Sequence, residues 1–339
     1  GTVPDGDPAE SEVIPDKYHI VVTSGGGAYS NWETEICYYW YLKVKDQPGS
    51  SMGGFTRLLH AKEDDYLSKK IPTIRVDPLG HPGAVSFPPL ARPLALKMLM
   101  DMEDNGITED YVLMGEPDHI FLEPVPNWAT PTKPASFPFF YISFEEQPDL
   151  VRKWNKRRVP VNMLPPIGNS PTIIHKDQLK EILKVWPDLT LEMFNHNPTR
   201  EAWGWVLEMY AFAFSSALVD SGLVEFNLRP DLMLQPPWDK TDMVDRCTPL
   251  EVKICPERKA KILHYTYGFD FDKTGEYTPG KSGVGWRFDK RAFQSKNPKA
   301  SRFEPSKLPA GMREKHPLSY RFAEIMYEAC TSIWGDSGI

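Results

Sequence analysis

Apolar and polar positions along this chain fall into runs whose spacing separates strands from helices. Residues 18–23 (YHIVVT) form an apolar, β-branched run that ends in Ser24-Gly25-Gly26-Gly27, which predicts a buried strand leaving into a loop. Trp32, Ile36, Tyr39 and Trp40 then recur at helical spacing within 32–43. Short strands follow at 55–60 and 73–76, an amphipathic helix with proline at its start at 93–103, and a buried strand at 111–114 (YVLM). Strand, helix, strand, helix, strand predicts an α/β fold whose mostly parallel sheet is covered by helices on both faces. Further on, 135–142 and 167–174 read as strands and 176–185 as a helix. Residues 201–219 read as the longest helix, and 318–334 as the helix that closes the chain. There is no internal repeat and no strong linker in the middle, which predicts one compact unit behind an acidic, proline-containing arm at 1–16.

The chemistry begins where the strand at 111–114 ends, in Gly115-Glu116-Pro117-Asp118-His119. Acids at i and i+2 on extended backbone point to the same side. Two carboxylates at the open end of a sheet suit a divalent cation with hard oxygen ligands, and such a cation commonly holds phosphates. Ligands of open α/β sheets bind beyond the carboxyl ends of the strands. That places the loop after Thr23, the Glu116–Asp118 turn and the loop before Asn169 in one region. Gly25-Gly26-Gly27 would let backbone approach a nucleotide, although the spacing is not that of a Rossmann dinucleotide site.

Downstream, His264 ends another apolar stretch, and a neutral imidazole there would complete a metal site begun by the acids, particularly for Mn²⁺. His119 is the rival ligand; a continuing strand would turn its side chain away from that of Asp118 and give it a packing role. Lys281 and Arg287, among glycines, are candidates to neutralise a diphosphate. Glu208 lies within the apolar and aromatic face of the 201–219 helix, a costly place for an acid unless it is paired or functional. It is a candidate for positioning an acceptor or assisting proton removal. Gln235-Pro236-Pro237-Trp238-Asp239 adds an amide, an aromatic and an acid on a rigid loop, with Gln235 and Asp239 as candidate catalytic groups.

Charge narrows the class. With 46 acids against 39 bases in 339 residues, a nucleic-acid binder relying on a basic surface is disfavoured. No apolar run is long enough to span a membrane, and no signal peptide is visible after Gly1-Thr2, so a membrane anchor would have to lie before these residues. Cys247 and Cys255 stand close enough in a polar loop to close a small disulfide, with free thiols the equal alternative; Cys37 and Cys330 complete the set.

Several long strings in fixed order carry a resemblance. They are Tyr38-Tyr39-Trp40-Tyr41, Met52-Gly53-Gly54-Phe55-Thr56-Arg57, Glu116-Pro117-Asp118-His119-Ile120-Phe121 and Pro166-Ile167-Gly168-Asn169-Ser170-Pro171. They continue with Gly204-Trp205-Val206-Leu207-Glu208-Met209-Tyr210, Met233-Leu234-Gln235-Pro236-Pro237-Trp238-Asp239, His264-Tyr265-Thr266-Tyr267-Gly268 and Trp286-Arg287-Phe288-Asp289-Lys290-Arg291. Together the chain resembles the plant and green-algal hydroxyproline O-arabinosyltransferases.

The resemblance implies a GT-A-like glycosyltransferase domain at 17–292 and a C-terminal extension at 293–339 whose helix packs on it. It implies a retaining, Mn²⁺-dependent enzyme of the Golgi lumen, a type II membrane protein at full length. That enzyme would move L-arabinofuranose from UDP-β-L-arabinofuranose to the hydroxyl of peptidyl 4-hydroxyproline. By analogy with metal-dependent GT-A enzymes, Asp118, Glu116 and His264 are the metal candidates. Glu116 departs from the usual aspartate and is also a candidate nucleotide or sugar contact. Asn169 and Ser170 resemble the asparagine motif that touches the donor sugar in related retaining folds. Thr23, Arg57, Gly268, Lys281 and Arg287 complete the candidate donor contacts. The acceptor, a hydroxyproline-rich peptide in polyproline II form, suits an aromatic groove, for which Trp205, Trp238 and Trp286 are candidates. A serine galactosyltransferase of the same glycoproteins, and a non-catalytic binder of proline-rich peptides or glycans, are the rival readings.

Overall fold

The computed structural model describes residues 16–80, 83–84, 87–239, 260–280 and 285–335. Its strands in chain order are β1 Tyr18–Gly25, β2 Met52–His60, β3 Thr73–Val76, β4 Tyr111–Gly115, β5 His119–Phe121 and β6 Ala135–Pro138. After them come β7 Ile167–His175, β8 Asn227–Leu228, β9 Met233–Leu234, β10 Ile262–His264, β11 Gly268–Asp272 and β12 Gly285–Asp289.

Seven strands form the main sheet in the order β3-β2-β1-β4-β7-β6-β8. The pairs β3·β2, β2·β1 and β1·β4 are parallel, as the strand–helix alternation predicts, whereas β7 runs antiparallel to both β4 and β6. The fold is therefore α/β with a mostly parallel central sheet flanked by helices, as expected. Tyr18, Ile20, Val21 and Val22 are buried, so β1 presents apolar side chains to both faces of the sheet. The helix Ala91–Met100 buries Ala95, Leu96 and Leu99 against this sheet.

A second, smaller core is built on β5-β10-β9 and the β11·β12 hairpin. Phe269, Trp286 and Phe288 of the hairpin pack with Phe303 and with Phe322 of the closing helix Pro317–Trp334. Residues on both sides of position 293 thus share one core. The helix Ala28–Val44 joins the two cores, sending Cys37 and Tyr41 into the first and Trp32 and Ile36 into the second.

Two expectations need correction. The segment 201–219 is not one helix: Asn197–Trp203 and Leu207–Leu218 are separated by a 3₁₀ turn at Gly204–Val206. Gly204 has φ +46°, a conformation that needs glycine, and apolar periodicity does not register such a break. Among the described residues the longest helix is instead Pro317–Trp334. The strand read at 135–142 stops at Pro138. Cys247 and Cys255 lie outside the described residues, as does nearly all of the arm at 1–16; Cys37 and Cys330 are buried free thiols.

Candidate active site

β4 ends in the main sheet at Gly115, and β5 begins in the small sheet at His119. The turn Glu116-Pro117-Asp118 therefore carries the chain from one core to the other. It opens at the carboxyl ends of β1, β2 and β4, beside the first turn of the helix that follows β1. The two acids do not share one extended backbone, and they separate into two clusters.

Asp118 belongs to the first. His264 Nε2 lies 3.1 Å from Asp118 Oδ2, and Lys290 Nζ donates to the same oxygen at 2.5 Å. Burial alone would raise the Asp118 pKa, but Lys290 and then His264 hold it well below the usual carboxylate range. Glu33 approaches from the helix Ala28–Val44, with Oε1 at 3.5 Å from Lys290 Nζ. Its burial, only partly offset by Lys290, raises the carboxyl to about 8.

His119 is in this cluster, contrary to the packing role expected for it. The expectation assumed a strand continuing through Asp118, whereas the chain turns there and starts a new strand. On β5, His119 pairs directly across from His264 on β10, so the two rings share a face, with centroids 5.1 Å apart. Burial, and then the proximity of His264, lower the His119 pKa to about 3, so the ring is neutral and keeps a lone pair.

The donor set fits a divalent cation. One ligand atom from each of Asp118, His119 and His264 lies within 4.8 Å of the others. Asp118 Oδ1 and His119 Nε2 are both buried and lack hydrogen-bond partners. One hard oxygen with two imidazole nitrogens suits Mn²⁺ and its neighbours among the first-row metals.

Gln235 stands behind this set. Its Nε2 is 3.2 Å from His264 Nδ1, while its Oε1 is buried without a partner. Turning the amide over lets Oε1 accept from Nδ1–H and leaves Nε2 of His264 as a lone pair for the metal. Gln235 is thereby a positioning residue. Asp239, expected beside it as catalytic, accepts the Gln235 backbone N–H at 2.7 Å and holds the Gln235–Asp239 turn in place.

Glu116 belongs to the second cluster, organised by Arg92, which the sequence reading did not single out. Arg92 lies in the first turn of the helix Ala91–Met100, where its apolar neighbours set the pattern. Its Nη2 reaches Glu116 Oε2 at 3.2 Å, and its Nη1 reaches Glu208 Oε2 at 3.3 Å and Asn169 Oδ1 at 3.5 Å. Burial raises the Glu208 carboxyl to about 7, against the pull of Arg92. Glu208 Oε1, Ser170 Oγ and Thr23 Oγ1 are buried without hydrogen-bond partners. Thr23 sits one residue past the Val22–Gly115 pair, and Asn169 and Ser170 precede Thr172, which pairs with Met114. Buried polar atoms without partners, collected at the end of a sheet, mark a place where a polar ligand supplies the missing bonds.

Other candidates have different places. Arg57 is fully buried and bonds both Asp65 oxygens at 2.7 Å and Asn31 Oδ1 at 2.8 Å; it fixes the loop after β1 instead of facing a donor. Gly268 is required by packing, since a Cβ there would lie 2.1 Å from the Phe288 carbonyl oxygen. Arg287 lies on the exposed face of β12 between Asp270 and Asp289, and Lys281 is outside the described residues. Trp286 is a core residue whose indole donates to the Arg302 carbonyl, so it is not available to an acceptor. Trp205 and Trp238 are exposed, at 70% and 47%, and Phe140, 6.3 Å from Trp238 between ring centroids, extends that aromatic surface.

Comparison with known proteins identifies the family. Residues 18–225 match the hydroxyproline O-arabinosyltransferase family N-terminal domain, and residues 261–330 match the C-terminal domain of the same family. Hydroxyproline O-arabinosyltransferase NOD3 of Pisum sativum is 44% identical over 335 residues, covering 98% of this chain and 92% of that protein. Hydroxyproline O-arabinosyltransferase 3 of Arabidopsis thaliana is 45% identical over 280 residues, covering 82% and 72%. Among solved structures, the galactosyltransferase LgtC with donor and acceptor sugar analogs has a TM-score of 0.42 at 14% identity, over 73% of this chain and 87% of that one. Mouse xyloside xylosyltransferase 1 has a TM-score of 0.43 at 10% identity, over 74% and 98%. Both family domains and relatives matched along most of their length lead to one statement: the chain belongs to the hydroxyproline O-arabinosyltransferase family.

Proposed function

We propose that this chain is a retaining, Mn²⁺-dependent glycosyltransferase that moves L-arabinofuranose from UDP-β-L-arabinofuranose to the hydroxyl of peptidyl 4-hydroxyproline. The observation that carries the reading is the Asp118, His119 and His264 cluster, with its unpartnered ligand atoms, at the mouth of a sheet in a chain of this family. Asp118, His119 and His264 would hold the metal, which when bound neutralises the leaving diphosphate. Arg92 holds Glu116 and Glu208 in fixed places beside it. Glu116, Asn169 and Ser170 face the same opening and would bind the hydroxyls of the sugar. Trp205, Trp238 and Phe140 offer stacking surfaces to the rings of a polyproline II peptide. The acceptor hydroxyl attacks on the face from which UDP departs, and the Arg92-anchored groups orient the sugar for that step.

The bare Oε1 of Glu208 favours a second mechanism for the same reaction, in which Glu208 is the nucleophile of a double displacement. We propose the Golgi lumen as its compartment, a reading supported by its membership of this family.

The test is transfer to a hydroxyproline peptide from a panel of UDP-sugars, with Mn²⁺ or with chelator, read by mass spectrometry. Transfer of a pentose from the arabinofuranose donor, lost with chelator and with Asp118→Asn, is the expected result. Full activity of Asp118→Asn, or preference for a hexose donor onto serine, would overturn it. A pentose covalently trapped on Glu208 would replace front-face attack by double displacement.

A further inference from the structure

Lys290 is a strong charge of the site to which the transfer mechanism gives no task. It begins the 3₁₀ turn after β12, where its backbone N–H donates to the Tyr267 carbonyl and the Asp289 side chain caps the turn. Its stem is thus fixed, and only 8% of the residue is exposed. The ammonium lies 2.5 Å from Asp118 Oδ2, 3.5 Å from Glu33 Oε1 and 5.7 Å from the centre of the Tyr265 ring. Asp118 therefore already carries a cation at an oxygen of the carboxylate that would ligate the metal.

Resting on the metal reading above, we propose that Lys290 is a resident counter-cation that competes with the divalent ion for Asp118. Two cations at one buried carboxylate repel each other strongly where water is scarce. Without Lys290, Asp118 would be a buried anion that has lost its nearest cation, a state that is expensive and therefore binds a metal readily. With Lys290 in place, the empty site is neutralised and its affinity for a bare metal ion is held down. Glu33, whose carboxyl is raised to about 8 by its burial, is largely protonated at neutral pH and leaves Asp118 as the main partner of the ammonium.

A second anion relieves the competition. A nucleoside diphosphate brought in with the metal offers Lys290 another partner, so metal and nucleotide raise each other's affinity by the same factor. Lys290 would thereby make metal capture conditional on the donor.

The experiment is Mn²⁺ binding to the protein by calorimetry or by the EPR signal of free Mn²⁺, alone and with UDP. Lys290→Met and Lys290→Gln should each bind Mn²⁺ about tenfold or more tightly than wild type in the absence of UDP. In both variants, UDP should add much less to Mn²⁺ affinity than it does in wild type. Lys290→Arg keeps the charge and should retain wild-type binding. The glutamine variant keeps a hydrogen bond to Asp118, so the measurement survives a misfolded methionine variant. Mn²⁺ affinity unchanged in folded Lys290→Gln, with binding abolished in Asp118→Asn, overturns the competition alone. Wild-type Mn²⁺ binding in Asp118→Asn overturns the metal site and the competition with it.

Discussion

Arg92 Nη1 stands 3.3 Å from Glu208 Oε2, joining the helix Ala91–Met100, which packs on β2, to the helix Leu207–Leu218, which packs on β7. The same guanidinium holds Glu116, so one cation fixes two acids from different elements. Removing one partner of such a pair leaves a buried charge without compensation, at a cost of about 3–5 kcal/mol. Arg92→Met should lower the melting temperature and reduce kcat by about a hundredfold. Arg92→Lys, unable to span both acids, should recover stability more than activity. Thermal melts with steady-state kinetics on the two variants check this, and wild-type kcat in Arg92→Met would remove Arg92 from the site.

Glu208 should make the protein less stable at neutral pH than at mildly acid pH. Its folded pKa of about 7, raised by burial, lies above the roughly 4.3 of an unfolded glutamate. Between those values the folded state binds the extra proton, so stability falls as pH rises from about 4.3 to 7 and is level beyond. Glu208→Gln should therefore gain of order 1–3 kcal/mol over wild type at pH 8 and lose that gain below about pH 5. Urea denaturation across this range, run without metal, measures it. An equal difference at every pH would show that Glu208 is ionised in the fold at all of them.

The apolar runs read at 18–23 and 111–114 fall within β1 and β4 and miss their ends by one or two residues, because strands buried on both faces read as unbroken apolar runs; 73–76 coincides with β3, an edge strand of which only Val76 is buried. Asp118 and His264 were legible as well, since each ends an apolar run. His119, Arg92 and Glu33 were not. His119 turns inward only because β4 and β5 belong to different sheets, and β5 pairs with a strand more than 140 residues away. Arg92 and Glu33 lie inside helices, where a charged residue reads as a solvated position until the facing element is known. Trp286 shows the converse: its string marked it as important, and its importance is to the second core.

Metal affinity should depend on residues that never touch the reacting sugar. His119→Phe keeps an aromatic ring of similar size, so a packing role would survive it; the loss of a ligand should weaken Mn²⁺ binding at least tenfold. Gln235→Leu removes the partner of His264 Nδ1 and should cost 10–100-fold in the same measurement, by freeing the tautomer of the ligand. Calorimetric Mn²⁺ titration in the presence of UDP compares them. Wild-type affinity in His119→Phe would return His119 to the packing role read from its position in sequence.

Two tryptophans that the sequence offers alike as acceptor contacts should give opposite phenotypes. Trp238 is half exposed beside Phe140, so Trp238→Ala should raise KM for a hydroxyproline peptide about tenfold while leaving the donor KM and the melting temperature nearly unchanged. Trp286 fills the second core, and Trp286→Ala should destabilise by about 3–5 kcal/mol with lost activity tracking unfolding. A peptide KM unaffected by Trp238→Ala would move the acceptor groove elsewhere.

Gly268 ties the fold of the hairpin to the chemistry of the site. A Cβ at this position would lie 2.1 Å from the Phe288 carbonyl oxygen and 2.7 Å from the Asp289 Cα, both backbone atoms that cannot rotate away. The β11·β12 register pairs Gly268 with Asp289, and the next residue is Lys290, the partner of Asp118. Gly268→Ala should therefore destabilise by about 3 kcal/mol and also disturb Mn²⁺ binding in the fraction that folds. Gly204→Ala is the comparison, because its Cβ would meet open space and only the backbone strain at φ +46°, about 1–3 kcal/mol, remains. Melting curves and Mn²⁺ titrations of the pair separate backbone strain from loss of close packing. Equal, small effects of the two substitutions would mean that the hairpin shifts freely and does not hold Lys290 in place.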